Sequence, residues 1–434
     1  MPDDSPHAPW QVAQDAAALL RKPATIRERC RNILAYVERG ESPHFTLDRT
    51  PLDAVADRVA RLAHERFPDG RIPLHSRWRH FEAGGVDRKA QLDACIRNRT
   101  TVGMARARID LALVSVLLDA GAGPGWRYAE RESGQSFARS EGLGVASFRA
   151  FMAGAFSSDP GDRCRVDARA LLRMDAGTLA DVFQAGEHNP LVGLEGRAAL
   201  LRRLGEALRA RPQVFTAEGL PGHLFDALTH HRHVHHLPHA NLHHMRPATF
   251  HHQVAAGRIL EALLDAFSAI WPSGQQLPDG TPLGDAWRHP AAGGYGASEG
   301  WVPFHKLSQW LAYSLIEPFE WAGVQVLGLD ELTALPEYRN GGLLLDAGVI
   351  VPRDARFGEV QRQPGDEWVV EWRALTVALI DELAPRVRER LGDGQLALAR
   401  ILEAGTWAAG REIANQRRPD GAPPVRVASD GTVF

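Results

Sequence analysis

The stretch WVPFHKLSQWLAYSLIEPFEWAG, residues 301 to 323, and after a short spacer LPEYRNGG, residues 335 to 342, govern the reading of the whole chain. Leu307, Trp310, Leu311 and Leu315 recur at the three-to-four-residue interval of a helix buried along one side. His305 and Lys306 stand just before this run, and Glu337, Tyr338, Arg339 and Asn340 stand after it. Two polar clusters therefore bracket one apolar element, which is the arrangement of a small-molecule site. Helix ends also gather charge for capping and solvation, so that plainer reading stands beside the first.

Helical period extends outward in both directions. Ala13 to Glu38, Leu52 to Arg66, Ala105 to Ala120, Asp167 to Gln184, Leu194 to Arg209 and Ile259 to Ile270 all carry it, with Thr25 placed as a cap in the first. Beyond Gly342, LLLDAGVIVPRD predicts a short strand. Trp368 to Leu391 predicts a long helix that Pro385 kinks or splits, Leu396 to Gln416 a further helix, and PPVRVASDGTVF a terminal strand or hairpin. The fold class read from this is mainly α with a few short strands. Residues 1–24 form an extension, and residues 25–434 a single large helical domain carrying a His-rich insertion at about 223–252.

Three interruptions carry chemistry-bearing residues. RFPDGRIPLHSRWRHFEAGG sets Arg77, Arg79, His80 and Glu82 among Trp78 and Phe81, which suits either a polar ligand held between rings or a surface loop packed by its aromatics. Ser140 and Glu141 cap a helix or face a ligand. The glycine- and proline-rich segment from Trp271 to Gly300 is long enough that function is expected of it. Arg197, Arg202, Arg203 and Arg209 read as one solvated basic face, from which an arginine can reach an anion.

Composition excludes several classes. The 434 residues carry 50 Lys and Arg against 53 Asp and Glu, a formal charge of -3, so there is no global basic field of the kind that holds nucleic acid, and only a local basic pocket stays open. Three cysteines without a CxxC pair argue against a disulfide framework or a structural zinc. The N-terminus lacks a basic, apolar export signal, and IDLALVSVLL from Ile109 to Leu118 is too short to cross a bilayer, so a soluble cytoplasmic protein is expected. Residues 223 to 252 hold 11 of the 19 histidines. His230, His231, His235 and His236 can bind metal incidentally, but no HExxH or ligand triad appears and no working metal is expected. Phosphate-loop, dinucleotide and nucleophile-elbow motifs are missing as well.

The ordered blocks IPLHSRWRHFEAGGVDR, SVLLDAGAGPGWRY, FARSEGLGVASF, NPLVGLEGRAALL, VPFHKLSQWLAYSLIEP, LPEYRNGGLL, VEWRALTVALIDEL, GTWAAGR and SDGTVF resemble the uracil-catabolism family of the fourth URC protein, also called the third Urg protein. That family's corresponding segment is not histidine-rich. Four of the blocks are also similar, more distantly, to the queuosine-salvage N-glycosylases, whose lysine and aspartate motifs align with Lys306 and with Glu337. The resemblance implies a helical, DNA-glycosylase-like architecture, no cofactor, and hydrolysis of the N-glycosidic bond of a ribosylurea-type compound, as the 5′-phosphate.

In that scheme Glu337, Lys306 and His305 are catalytic, with the Lys306 ammonium and the Glu337 carboxylate in one pocket. Arg339, Arg79 and Arg197 are the phosphate ligands, and Tyr338, Asn340, His80 and Glu141 complete the substrate contacts. The partner is a small ribosyl molecule; the sequence sets no oligomeric state. A non-catalytic binding protein and a metal-dependent amidohydrolase acting on the ureido group are the alternatives.

Overall fold

The apolar run after His305 forms helix Lys306–Glu320, burying Trp310, Leu311, Tyr313, Leu315 and Ile316. Pro318 lies inside it and lacks the N–H that would satisfy the Ser314 carbonyl one turn back. The indole N–H of Trp78 donates to that carbonyl instead, at 2.9 Å. The computed structural model describes residues 16–230, 252–271, 275–418 and 420–428. It is mainly α, with short strands paired two by two. The described residues fall into two compact units, one from 1–76, 267–313 and 329–434, the other from 77–266 and 314–328.

In the first unit, Pro23 rather than Thr25 starts helix Pro23–Glu38, because a proline at the first position gives up only an N–H that the helix leaves orphaned anyway. This helix and Leu52–Arg66 pack on the long helix Glu367–Leu391, which runs unsplit past Pro385. Strand Phe45–Leu47 pairs antiparallel with Ile350–Pro352, as the β-branched run there leads one to expect. Ala286–Arg288, within the glycine- and proline-rich segment, pairs antiparallel with Trp301–Pro303 just after it, and Arg426–Val427 runs parallel to Gln361–Arg362. The helix expected over Leu396 to Gln416 is Leu398–Ile401, a π turn Leu402–Thr406 and Trp407–Arg417. At the π turn an ideal Cβ on Gly405 would lie 2.6 Å from the Val59 carbonyl oxygen, so only glycine permits the approach.

In the second unit, helix Thr101–Leu117 is capped by the Thr100 side chain and is buried along nearly all its length. Arg197 closes its far end, donating to the carbonyls of Leu118, Ala120 and Gly121. Arg197 is therefore a buried capping group, not part of the solvated face that helical spacing assigns it to. Asp167 and Asp175 cap two short helices, Ala168–Leu171 and Ala176–Val182, where one helix is expected. Two caps within ten residues override the apolar period. No helix among the described residues is long and apolar enough to cross a membrane.

Candidate active site

Three consecutive N–H groups, those of Phe304, His305 and Lys306, donate to Asp285, the first two to its carbonyl and the third to its carboxylate at 3.0 Å. This grip holds His305 at φ 48°, a left-handed conformation costly for a residue with a Cβ. It fixes where helix Lys306–Glu320 begins. The Asp285 carboxylate is itself held by both terminal nitrogens of Arg373, at 2.8 and 2.7 Å, and by the Trp287 indole at 2.8 Å. Burial alone would raise its pKa; the Arg373 charge and these hydrogen bonds prevail and hold it well below the usual carboxylate range. The Arg373 guanidinium also lies over the Phe304 ring, 4.1 Å from its centroid.

Arg373 belongs to the second turn of helix Glu367–Leu391, where neighbouring residues reach in other directions. Glu371, fully buried, accepts from the Ser42 hydroxyl and lies 3.4 Å from His289 Nε2. His289 Nδ1 accepts the Ala291 N–H, which leaves the ring proton on Nε2, pointing at Glu371. The Trp368 ring packs against those of Phe45 and Phe357, with Trp372 beside it and 6.4 Å from the Tyr338 ring. The indole nitrogens of Trp368 and Trp372 are buried and have no hydrogen-bond partner among the described residues. An ideal Cβ on Gly341 would fall 2.7 Å from the Trp372 indole nitrogen, so this glycine is what lets the ring lie against the neighbouring helix.

That neighbouring helix, Tyr338–Asp346, starts at Glu337. The Glu337 carboxylate caps it, one oxygen accepting from Arg339 N and the other from Asn340 N, each at 2.7 Å. A half-buried carboxylate is thus pinned at the positive end of a helix dipole. Tyr338 donates to the Val427 carbonyl at 3.2 Å, Arg339 to the Gly421 carbonyl at 3.1 Å, and Asn340 to the Leu335 carbonyl at 3.1 Å. Burial pushes the Tyr338 hydroxyl up to about 12, with the Glu337 charge adding to the rise and the Arg373 charge opposing it. Arg373 itself grips the aspartate that receives the Lys306 N–H.

Of the residues expected at the site, His305, Lys306, Glu337, Tyr338, Arg339 and Asn340 all belong to the first unit. Arg79, His80, Glu141 and Arg197 belong to the second, where other work occupies them. Arg79 pairs with Glu317 at 2.8 Å and Glu82 at 3.2 Å, His80 Nδ1 accepts from the buried Arg77, Glu141 lies in the first turn of helix Arg139–Ala153, and Arg197 is the helix cap described above. His231, His235 and His236 lie outside the described residues, as does the His230 side chain. Asp285, His289, Glu371, Trp372 and Arg373 escape a reading by motif. Their signals are the block GDAWRHP, a charge set beside a tryptophan in a glycine- and proline-rich segment, and VEWRALT, a charge set inside an apolar helical run.

His305 donates through Nε2 to the Leu20 carbonyl at 3.0 Å, and its Nδ1 has no hydrogen-bond partner among the described residues. Burial lowers its pKa from 6.5 to about 4, with Asp285 opposing. The folded state therefore binds fewer protons than the unfolded chain between those values, and stability should fall as pH drops from about 6.5 to about 4, by on the order of 3 kcal/mol. Denaturant titrations across this window should give that slope, and His305→Asn, which suits the left-handed backbone, should flatten it. An unchanged slope in the variant would assign the acid sensitivity elsewhere.

Ligand atoms of His44, Glu367 and Glu371 lie within 4.8 Å of one another, and this trio could hold a divalent cation. His44 Nε2 stands 3.4 Å from Glu367.

A family model described as "Protein of unknown function (DUF1688)" matches residues 19–434. The chain belongs to that family. This DUF1688 chain is 38% identical over 443 residues to "Uracil catabolism protein 4" of Lachancea kluyveri, covering 95% of the chain and 97% of that relative. It is 36% identical over 433 residues to "Protein urg3" of Schizosaccharomyces pombe, covering 98% and 100% respectively. The DUF1688 match takes in every residue named at the site, from Leu20 to Val427.

Proposed function

We propose that the protein acts in uracil breakdown as a hydrolase, cleaving the N-glycosidic bond of a ribosylurea, as its 5′-phosphate, to urea and ribose 5-phosphate. The name of the Lachancea kluyveri relative, "Uracil catabolism protein 4", supports the metabolic setting. The observation that carries the reaction is the half-buried carboxylate of Glu337, pinned by two backbone N–H groups at the start of helix Tyr338–Asp346. Departure of the ureido nitrogen with the bonding pair builds positive charge on the sugar ring, which a fixed carboxylate stabilises. Water adds to the anomeric carbon and gives a proton to Glu337. The Lys306 ammonium orients the carboxylate and supplies the proton that the leaving nitrogen takes up. Arg339 binds the phosphate, and the buried, neutral His305 is a positioning residue at the start of the Lys306 helix.

Purified full-length protein incubated with synthetic ribosylurea 5-phosphate should release urea and ribose 5-phosphate in equal amounts. Thermal stabilisation by this compound with no urea formed would leave a binding protein in place of an enzyme. The His44, Glu367 and Glu371 trio favours a second reading, a metal-assisted attack on the ureido carbonyl. Ammonia as the product, and its loss after chelation, would establish that reading; urea release that survives chelation would remove it.

A further inference from the structure

The second unit brings two of the three cysteines together. Cys95, exposed in the last turn of helix Arg88–Ile96, and Cys164, buried in the segment leading to Asp167, place their sulfurs 2.8 Å apart although 69 positions separate them in sequence. A covalent sulfur–sulfur bond is about 2.05 Å long, so less than about 1 Å of approach separates this arrangement from a bridge. Both sulfurs are delivered by anchored backbone. Helix Arg88–Ile96 is capped by Asp87 and tied by the buried Arg88–Glu130 pair. On the other side, Val166 N donates to Asp110 at 3.1 Å, Ser158 N donates to Asp167 at 2.7 Å, and Asp162 pairs with Arg99.

We propose that Cys95 and Cys164 form a reversible disulfide site, closed by a hydroperoxide-class oxidant and reopened by small thiols. The exposed Cys95 is the sulfur an oxidant reaches first. Its thiolate attacks the peroxide, breaking the O–O bond and becoming a sulfenic acid. The Cys164 sulfur then displaces the hydroxyl group, so that the two thiols lose two electrons and two protons and one hydrogen peroxide becomes two waters. Burial and the neighbouring Cys95 raise the Cys164 thiol, which suits it to the second, resolving step rather than the first. Cys30, fully buried with its own thiol raised by burial, is an internal control.

The full-length protein is treated with hydrogen peroxide, alkylated after denaturation, digested and weighed. The expected result is one cross-linked peptide pair joining Cys95 to Cys164, two hydrogens lighter than the sum, undone by dithiothreitol, with Cys30 still alkylated. Closing so long a loop should also raise the apparent melting temperature by about 5 °C, reversibly. Cys95→Ser, a conservative change at an exposed position, should abolish both effects, and Cys164→Ala should do the same. Recovery of Cys95 as a sulfinic acid with Cys164 still a free thiol, or the same temperature rise in Cys95→Ser, would overturn the proposal.

Discussion

Replacing Glu337 with Gln should lower urea release from ribosylurea 5-phosphate by at least about a hundredfold, the loss expected on removing a general base. The carboxylate also caps helix Tyr338–Asp346 through two backbone N–H groups, so the experiment must separate chemistry from folding. Gln keeps one oxygen able to accept from the helix but loses the charge and the second acceptor, and loss of a cap costs about 1 kcal/mol. A melting point within a few degrees of the parent, alongside the collapse in kcat, would place the effect in the reaction. Glu337→Asp keeps charge and cap but retracts the carboxylate by a methylene, and should fall between the two. Undiminished turnover by a folded Glu337→Gln protein would leave this residue a cap and nothing more.

Arg373→Met should destabilise the protein by about 3–5 kcal/mol, the usual consequence of removing one partner from a buried ion pair. It leaves Asp285 buried among apolar groups, with only the Trp287 and Lys306 N–H groups to satisfy it. Guanidinium denaturation measures the loss, and the double variant Arg373→Met with Asp285→Asn should recover a large part of it, because no charge is then stranded. A loss under about 1 kcal/mol in the single variant would show that the pair is not a structural anchor. The pair also has a pH signature. Because the folded Asp285 titrates below its unfolded value, the stability it contributes is present above about pH 4 and is lost as the pH falls towards the folded value. The double variant should lack that term.

Helical period made the mainly α class legible, and Leu52–Arg66 and Leu194–Arg209 begin and end where the apolar spacing places them. Pairing between distant segments was less so. Phe45–Leu47 meets Ile350–Pro352, and a three-residue strand carries too little pattern to announce a partner across some three hundred residues of chain. The site divides the same way. Lys306 and Glu337 stand in recognisable blocks, whereas Asp285 hides in a loop, and Glu371, Trp372 and Arg373 occupy consecutive positions of a helix whose apolar content suggests core alone. The charges there are paired across the unit rather than along the sequence, and spacing does not encode that. Arg197 illustrates the converse: an arginine on a basic helical stripe turns inward because three orphaned carbonyls await it.

The short turn of helix that holds Glu371 and Arg373 bears on the order in which the protein can mature. Glu371 meets Ser42 across 329 positions, Arg373 meets Asp285 across 88, and His289 meets Glu371 across 82. Residues 77–266 and 314–328, which together make up the second compact unit, interrupt the first unit twice between its opening helices and this turn. Contacts so distant in sequence form late, after the loop-closure entropy between them has been overcome. On the ribosome, the opening helices must therefore wait, with their apolar faces uncovered, until the inserted unit has been made and the residues around Glu371 emerge. A nascent chain arrested before that point would carry a folded insert and an unfinished site, and the interval between the two is when this protein has most need of a chaperone.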